Sequence, residues 1–193
     1  MRVALAALVV AGVLGGAADL EAQLDAPIPA GSVREGTLSF QGHATAGDFG
    51  GTTTEISGAM AGGDDLSAVR GWVEAPVRTL VTGNGRRDRD LNKSLESDRF
   101  PTIRFDLSGV SSVGGSGDSM AVNLLGRLTI HGISREVTLP GSVRRSGDAV
   151  QVTSEFPLNL KDYEIGGLSK MLGMLKMYED IEVRVDLKFG PSQ

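Results

Sequence analysis

The sequence predicts an all-β fold in which about eight antiparallel strands form a barrel or a sandwich. The clearest sign lies at residues 181–189, where apolar and charged side chains alternate without a break. Such alternation is typical of a strand with one apolar and one wet face. The second sign is the recurrence of short glycine-containing turns, such as Gly114–Asp118 and Ser146–Asp148, between the alternating runs.

The remaining strands follow from the same two signals. They are predicted at residues 33–44, 49–59, 66–74, 103–108, 120–130, 136–145 and 149–160. The last two are expected to pair as a hairpin around Ser146–Asp148. No internal repeat or low-complexity linker interrupts the series, so the sequence predicts a single domain.

A short helix is expected at residues 88–96, before the strand that starts at residue 103. Asp88 is predicted to cap it, since a carboxylate accepts hydrogen bonds from the free N–H groups of a first turn. Leu91 and Leu95 are four residues apart and therefore share one face of the helix. Pro101 prevents the helix from continuing into the strand.

Two blocks of the sequence carry the pattern of a known family. They contain Arg87-Asp88, Leu91, Ser94 and Phe100–Phe105 in the first block, and Gly126–Pro140 in the second. In order and spacing they resemble the YceI-like family, the polyisoprenoid-binding, lipocalin-like barrels of bacterial envelopes. The resemblance covers residues 32–189. It departs from the family at His131, where an arginine is usual, and over residues 166–178.

The resemblance implies a more specific fold and a ligand. The fold is an antiparallel, eight-stranded, lipocalin-like barrel with one or two short helices. The implied partner is a polyisoprenoid or another long-chain lipid, and no cofactor is expected. The sequence carries no signal for the oligomeric state.

The first 22 residues have the pattern of a secretory signal peptide, with Arg2, an apolar run at residues 3–14 and small residues at 15–18. The run is shorter than the ~20 residues of a membrane span. Residues 23–193 are therefore expected to form the mature barrel domain, with no stable membrane span. Because the chain has no cysteine for lipid attachment, a periplasmic or secreted location is expected. A buried N-terminal helix is the alternative, which the glycines of this segment disfavour.

Charge and composition argue against several kinds of partner and site. A net charge of −5 disfavours nucleic acid as a partner. His43 and His131 lie far apart in a chain without cysteine, so they predict no metal site. The sequence contains neither a G-x-S-x-G nucleophile motif nor a G-x-x-x-x-G-K-[ST] phosphate loop. It therefore gives no positive sign of catalysis.

The apolar faces of the alternating strands supply candidate ligand-binding residues. They are Phe105, Leu107, Leu124, Leu128, Ile130, Val183, Val185 and Leu187. An eight-stranded barrel is either filled by such side chains or holds one small ligand. Alternation is the same in both cases, and the family resemblance favours an open lumen.

A Met- and Leu-rich stretch at residues 166–178 has apolar side chains at helical spacing and predicts a second helix at 169–177. Met171 and Met174 are candidate ligand contacts if this helix forms a lid over the barrel mouth. Alternatively, the helix packs on the end of the barrel as part of the core. Methionine suits both roles, because its flexible side chain adapts to irregular partners.

These observations and the resemblance together lead to a functional expectation. It is the non-catalytic binding of a long apolar ligand in the barrel lumen, in the bacterial cell envelope. The alternative is an envelope stress or adhesion protein with a filled barrel that acts through contacts with other proteins. An enzyme acting on isoprenoid derivatives is a third class, for which no motif is present.

We predict that the chain is exported and cleaved near Ala22, because Leu20-Glu21-Ala22 follows the apolar run and ends on a small residue. N-terminal sequencing of the protein from its native host should start close to Gln23. A soluble cytoplasmic protein that retains Met1 would contradict this prediction.

Overall fold

The structure is a computed structural model that describes residues 28–45, 47–116, 119–166 and 177–191. The predicted signal peptide lies outside the described residues. So do residues 169–176 of the predicted second helix, together with Met171 and Met174. Met177, the predicted last residue of that helix, is instead the first residue of the final strand.

The described residues form one antiparallel sheet that closes on itself. Its strands are β1 (Gly31–Ala44), β2 (Phe49–Thr53), β3 (Ser57–Ala61), β4 (Arg70–Pro76), β5 (Thr102–Ser116), β6 (Ser119–Ile130), β7 (Ile133–Ser146), β8 (Ala149–Asn159) and β9 (Met177–Gly190). Consecutive strands pair from β3 to β9, and β1 pairs with both β3 and β9. β2 and β3 pair with different parts of the same edge of β1, so these two short strands together count as one strand of the barrel. The predicted antiparallel eight-stranded barrel is confirmed.

Two predicted strands have different limits because side chains bond to the backbone locally. The predicted strand 49–59 is broken after Thr53, whose hydroxyl accepts a hydrogen bond from Glu55 N at 3.0 Å and lies 2.7 Å from the Thr79 hydroxyl. The predicted strand 66–74 begins only at Arg70. A 3₁₀ turn precedes it, because the Asp65 carboxylate accepts a hydrogen bond from Ser67 N at 2.8 Å. Such local bonds compete with a sheet ladder.

One α-helix is present among the described residues, α1 (Gly85–Ser94), so its predicted limits were late. Asn84, not Asp88, is the capping residue, and its side chain accepts hydrogen bonds from the backbone N–H groups of Arg86 and Arg87. Asp88 lies in the first turn and faces back along the chain. Its carboxylate accepts hydrogen bonds from Thr82 N at 2.8 Å and from the Thr82 hydroxyl at 2.7 Å. Asp88 therefore holds the helix against the segment that leads into it.

The interior of the barrel contains two apolar clusters, one near each end. The end of the barrel that carries the β5–β6 and β7–β8 turns is here called the hairpin end. The almost completely buried side chains there are Met120, Val122 and Val150. At the opposite end, here called the helix end, Leu95 after α1 packs in a cluster with Val77. A 3₁₀ turn at Leu160–Tyr163 adds to the second cluster. Both ends are thus covered by buried apolar side chains.

The barrel wall is incomplete between β7 and β8. These strands pair only from Gly141–Ser146 with Ala149–Ser154, at the hairpin end. Pairing stops at Pro140, and Pro157 stands in the unpaired part of β8. A proline has no N–H to donate to a ladder and is confined to edge strands and bulges. Among the described residues, Ile133–Pro140 and Glu155–Asn159 therefore face each other across a gap, here called the slit.

We predict that replacing Asp88 with Asn lowers the free energy of unfolding at neutral pH but has a smaller effect in acid. The hydrogen bond from the Thr82 side chain holds the pKa of Asp88 below its ordinary value of 3.8, aided by the bond from the Thr82 backbone and by Arg87 and Arg89. A carboxyl group with a depressed pKa stabilises the fold above its unfolded pKa, and this contribution disappears as the pH falls through the folded pKa.

The measurement is urea unfolding of the wild-type chain and Asp88→Asn at a series of pH values. The difference between them should be constant near neutrality and shrink below the ordinary carboxyl pKa of 3.8. Thr82→Val removes a hydroxyl partner and should not add its full effect to that of Asp88→Asn. A difference that is the same in acid and at neutral pH would contradict the assignment.

Candidate binding site in the barrel lumen

A cavity of about 210 Å³ lies inside the barrel, between the two apolar clusters. Its wall receives side chains from strands on all sides of the barrel and from α1. Packed protein interiors have few voids larger than one water molecule. The space is therefore a defined lumen and not an ordinary packing defect.

The lumen wall is almost entirely aliphatic and aromatic. The polar members of the wall are Glu74, Ser94 and Ser154. The Glu74 carboxylate pairs with the Arg104 guanidinium at 3.1 Å, and the Ser154 hydroxyl donates to the carbonyl of Pro140 at 2.6 Å. With these two groups already partnered, the described wall favours an apolar occupant.

The structure places all eight candidate residues of the strands on the lumen wall. These residues are Phe105, Leu107, Leu124, Leu128, Ile130, Val183, Val185 and Leu187. Phe105 and Val185 pack against both end clusters and so mark the middle of the barrel. Contact between these residues and a ligand remains a prediction, as does any contribution from Met171 and Met174.

Phe105 shows how the lumen stays open although large side chains point into it. Gly126 occupies an inward position of the neighbouring strand, and an added Cβ there would lie 2.7 Å from the Phe105 ring. The ring therefore covers the backbone of Gly126 and lies along the wall. A side chain at position 126 would clash with the Asp106 carbonyl oxygen at 2.3 Å as well as with the ring, so only glycine fits between them.

Several wall residues are not among the sequence-derived candidates. Leu38 and Phe40 come from β1, Leu139 from β7, Phe156 from β8 and Leu91 from α1. Leu38 and Phe40 alternate with polar residues in the sequence, and this pattern could have identified both as inward-facing. The contribution of Leu91 depends on how α1 sits on the barrel, which no local pattern reveals.

His131 forms structural contacts at the helix end. Its Nδ1 lies 3.1 Å from the carbonyl oxygen of Tyr163 and, since a carbonyl only accepts, is the donor of this hydrogen bond. Its Nε2 is 3.4 Å from the Glu96 carboxylate, and its ring meets Phe100 edge-on at 4.8 Å. The pKa of Glu96 is lowered by the hydrogen bond from Arg99 and, to a lesser extent, by His131. His131 thereby connects the β6–β7 turn to the segment after α1 and to the 3₁₀ turn after β8.

His43 lies within β1, and its Nδ1 is 2.6 Å from the Asp48 carboxylate. Within the described ranges, no group of three or more His, Asp or Glu side chains is arranged to hold a metal ion.

A family model described as the YceI-like domain matches residues 31–189. The chain belongs to the YceI-like family. No curated protein sequence matches this YceI-like chain.

Solved structures share the fold of this YceI-like domain. BcnA of Burkholderia cenocepacia superposes with a TM-score of 0.68 at 16% identity, covering 79% of this chain and 95% of that one. A polyisoprenoid-binding domain from Saccharophagus degradans, implicated in plant cell wall breakdown, gives 0.69 at 15% identity, covering 86% and 99%. The YceI protein of Campylobacter jejuni gives 0.58 at 16% identity, covering 74% and 85%. At these identities the likeness shows the shared fold.

The helical content of the YceI-like domain is small. No helix in the part of the chain that the structure describes is both long enough and apolar enough to cross a membrane.

We predict opposite outcomes for arginine at two adjacent positions of β6. Leu124 faces the lumen and is only 8% exposed, whereas Leu125 is 38% exposed. Leu124→Arg should lower the free energy of unfolding by roughly 3–5 kcal/mol, the usual cost of a buried charge without a partner. Leu125→Arg should change it by about 0.5 kcal/mol or less, as is usual at the surface.

The two free energies of unfolding can be measured by denaturant titration under identical conditions. Similar losses for both variants, or the larger loss for Leu125→Arg, would mean that the inward face of β6 is wrongly assigned.

Proposed function

We propose that this protein binds a long apolar ligand, a polyisoprenoid or related lipid, in the barrel lumen without transforming it chemically. The observation that carries the proposal is the lumen, an apolar cavity of about 210 Å³ inside a barrel that could have been filled by its own side chains. The polyisoprenoid-binding domain of Saccharophagus degradans has the same fold, which supports this class of ligand.

A flexible hydrocarbon chain suits this wall for a physical reason. Binding of apolar surface is non-directional and scales with the area removed from water, at roughly 0.8 kcal/mol for each CH₂ group. Phe105, Leu107 and Val185 point inward yet are only partly buried. Each would lose further contact with water when a chain fills the lumen.

The size of the lumen limits how such a ligand is bound. Sites for small molecules usually measure roughly 300–1,000 Å³, and this cavity is about 210 Å³. A long ligand therefore occupies the lumen with part of its chain, while the remainder, including any polar end, lies outside it.

The alternative of a filled barrel that acts through protein contacts requires a packed interior. The cavity between the two clusters argues against that alternative. Binding without catalysis is favoured because two of the three polar wall residues, Glu74 and Ser154, are already partnered by Arg104 and the Pro140 carbonyl.

We also propose a periplasmic or secreted location, with residues 1–22 as a signal peptide and residues 23–193 as the mature domain. The proposal rests on Arg2, the apolar run at 3–14 and the absence of cysteine from the sequence. The net charge of −5 makes nucleic acid an unfavourable partner.

Native mass spectrometry of the protein purified from its own host tests the lipid proposal. The folded protein should carry an added mass that organic extraction removes and that matches an isoprenoid or another lipid. Leu125→Arg should retain this mass and Leu124→Arg should lose it, because only the second charge projects into the lumen. Folded wild-type protein that never carries an added mass would contradict the proposal.

A further inference from the structure

The slit between β7 and β8 opens next to the lumen. A second cavity, of about 510 Å³, lies along the slit and is lined by residues from β6, β7, β8 and the turn that follows β8. The two cavities share four wall residues, Leu128, Leu139, Phe156 and Leu158. These four, here called the threshold, are the apolar side chains that separate the lumen from the slit.

We propose that the slit is a lateral doorway, through which the apolar chain of an amphiphilic ligand enters the lumen and at which its polar end remains. This inference rests on the proposed function. It adds a route and an orientation: the apolar chain passes the threshold, and the polar end stays at the rim.

The rest of the described barrel offers poorer routes. The hairpin end is filled by Met120, Val122, Val69 and Val150, each no more than 2% exposed. At the helix end, Leu95 and Tyr163 are 6% and 2% exposed, although Phe49 and Leu91 on the same part of the wall are partly buried. Opening either end requires several packed side chains to move together. At the slit, Leu139 and Leu158 are only partly buried and no hydrogen-bonded ladder has to break.

The rim of the slit suits the polar end of an amphiphile. Backbone N–H and C=O groups that lack a neighbouring strand must find partners in water or in a ligand. The rim also carries Ser134 and Asn159, but the Ser134 hydroxyl lies 2.8 Å from the Thr129 hydroxyl and the Asn159 side chain donates to Asp180 at 2.7 Å. The hydrogen bonds that the rim can offer a ligand therefore come mainly from its backbone. The charged side chains of the rim are balanced: Glu136 pairs with Arg127 at 2.8 Å, and Arg135 pairs with the Asp162 carboxylate at 3.9 Å. Such a rim offers hydrogen bonds without a large net charge.

An added peptide strand is a poorer occupant of the slit. Unpaired strand edges can bind an extended peptide through a regular ladder of backbone hydrogen bonds. Pro140 and Pro157 remove a donor from each edge of the slit, so a complete ladder cannot form there. A hydrocarbon chain needs no such ladder, and the two prolines do not hinder it.

The doorway can be closed chemically, because the natural chain has no cysteine. Thr138→Cys and Glu155→Cys place two exposed thiols on opposite sides of the slit, and a short bis-maleimide then joins them after folding. The matched control joins the same strands where they are paired. Ser142→Cys and Thr153→Cys replace two side chains whose hydroxyls are 2.8 Å apart.

The measurement is the rate at which each protein takes up and releases tritiated farnesol, a soluble isoprenoid alcohol. Cross-linking across the slit should slow both rates by about tenfold or more, as expected when a gating step is blocked. The cross-link in the control pair should leave both rates unchanged. Leu139→Ala, which removes part of the threshold, should speed up uptake and release.

Two negative results can be told apart. If the protein binds farnesol and the slit cross-link leaves the rates unchanged, the doorway is wrong while the proposed function stands. If the protein that has not been cross-linked binds no farnesol, the proposed function fails, and the doorway fails with it.

Discussion

The pairing of the first and last strands is the constraint on which the rest of the structure depends. β1 and β9 form hydrogen bonds along almost their whole length and close the sheet into a barrel. The register opposes Leu38 to Val185 and Phe40 to Val183, which places apolar side chains from both ends of the chain on the inner surface. A shift by one residue would turn every side chain of β9 to the opposite face. Closure in this register therefore creates the lumen wall.

Closure alone does not decide whether the barrel is filled. An eight-stranded barrel is just wide enough for its own side chains to fill it, and at the hairpin end Met120 and Val122 do so. Further along, Gly126 leaves room for the Phe105 ring to lie against the wall. The prolines of β7 and β8 then leave the slit open beside the threshold. A few residues thus turn one part of the barrel into core and another into a cavity.

Part of this architecture could be predicted from the sequence. Alternation in β6 and β9 identified inward residues such as Leu128 and Leu187. Successive side chains of a strand point to opposite faces, so in a half-buried strand the apolar set must be the one that faces the interior. The break after Thr53 was not predicted, since the Thr53 hydroxyl that accepts from Glu55 N also contacts Thr79, far along the chain. The helix start was misplaced because Asn84 and Asp88 are both good capping residues. Only tertiary structure shows that Asp88 bonds instead to Thr82.

The candidate site was predictable to a smaller extent. Pro140 and Pro157 are visible in the sequence, but alternation describes the faces of a strand and not its edges, so the slit was missed. The alternation of residues also could not predict whether the barrel is open or filled, because inward residues alternate in both cases. The lumen depends on differences of a few ångströms in how Phe105 and its neighbours pack, and those differences appear only in the folded chain.

The central claim is that the lumen takes up an apolar ligand. The most direct measurement is a titration with farnesol, followed by the NMR signals of isotope-labelled leucine methyl groups. Leu124 on the lumen wall and Leu125, its neighbour on the outside, give an internal comparison. Our account predicts saturable shifts and contacts between farnesol and the Leu124 methyl groups, with no comparable change at Leu125. Equal responses at both residues, or no response at Leu124 at saturating farnesol, would contradict it.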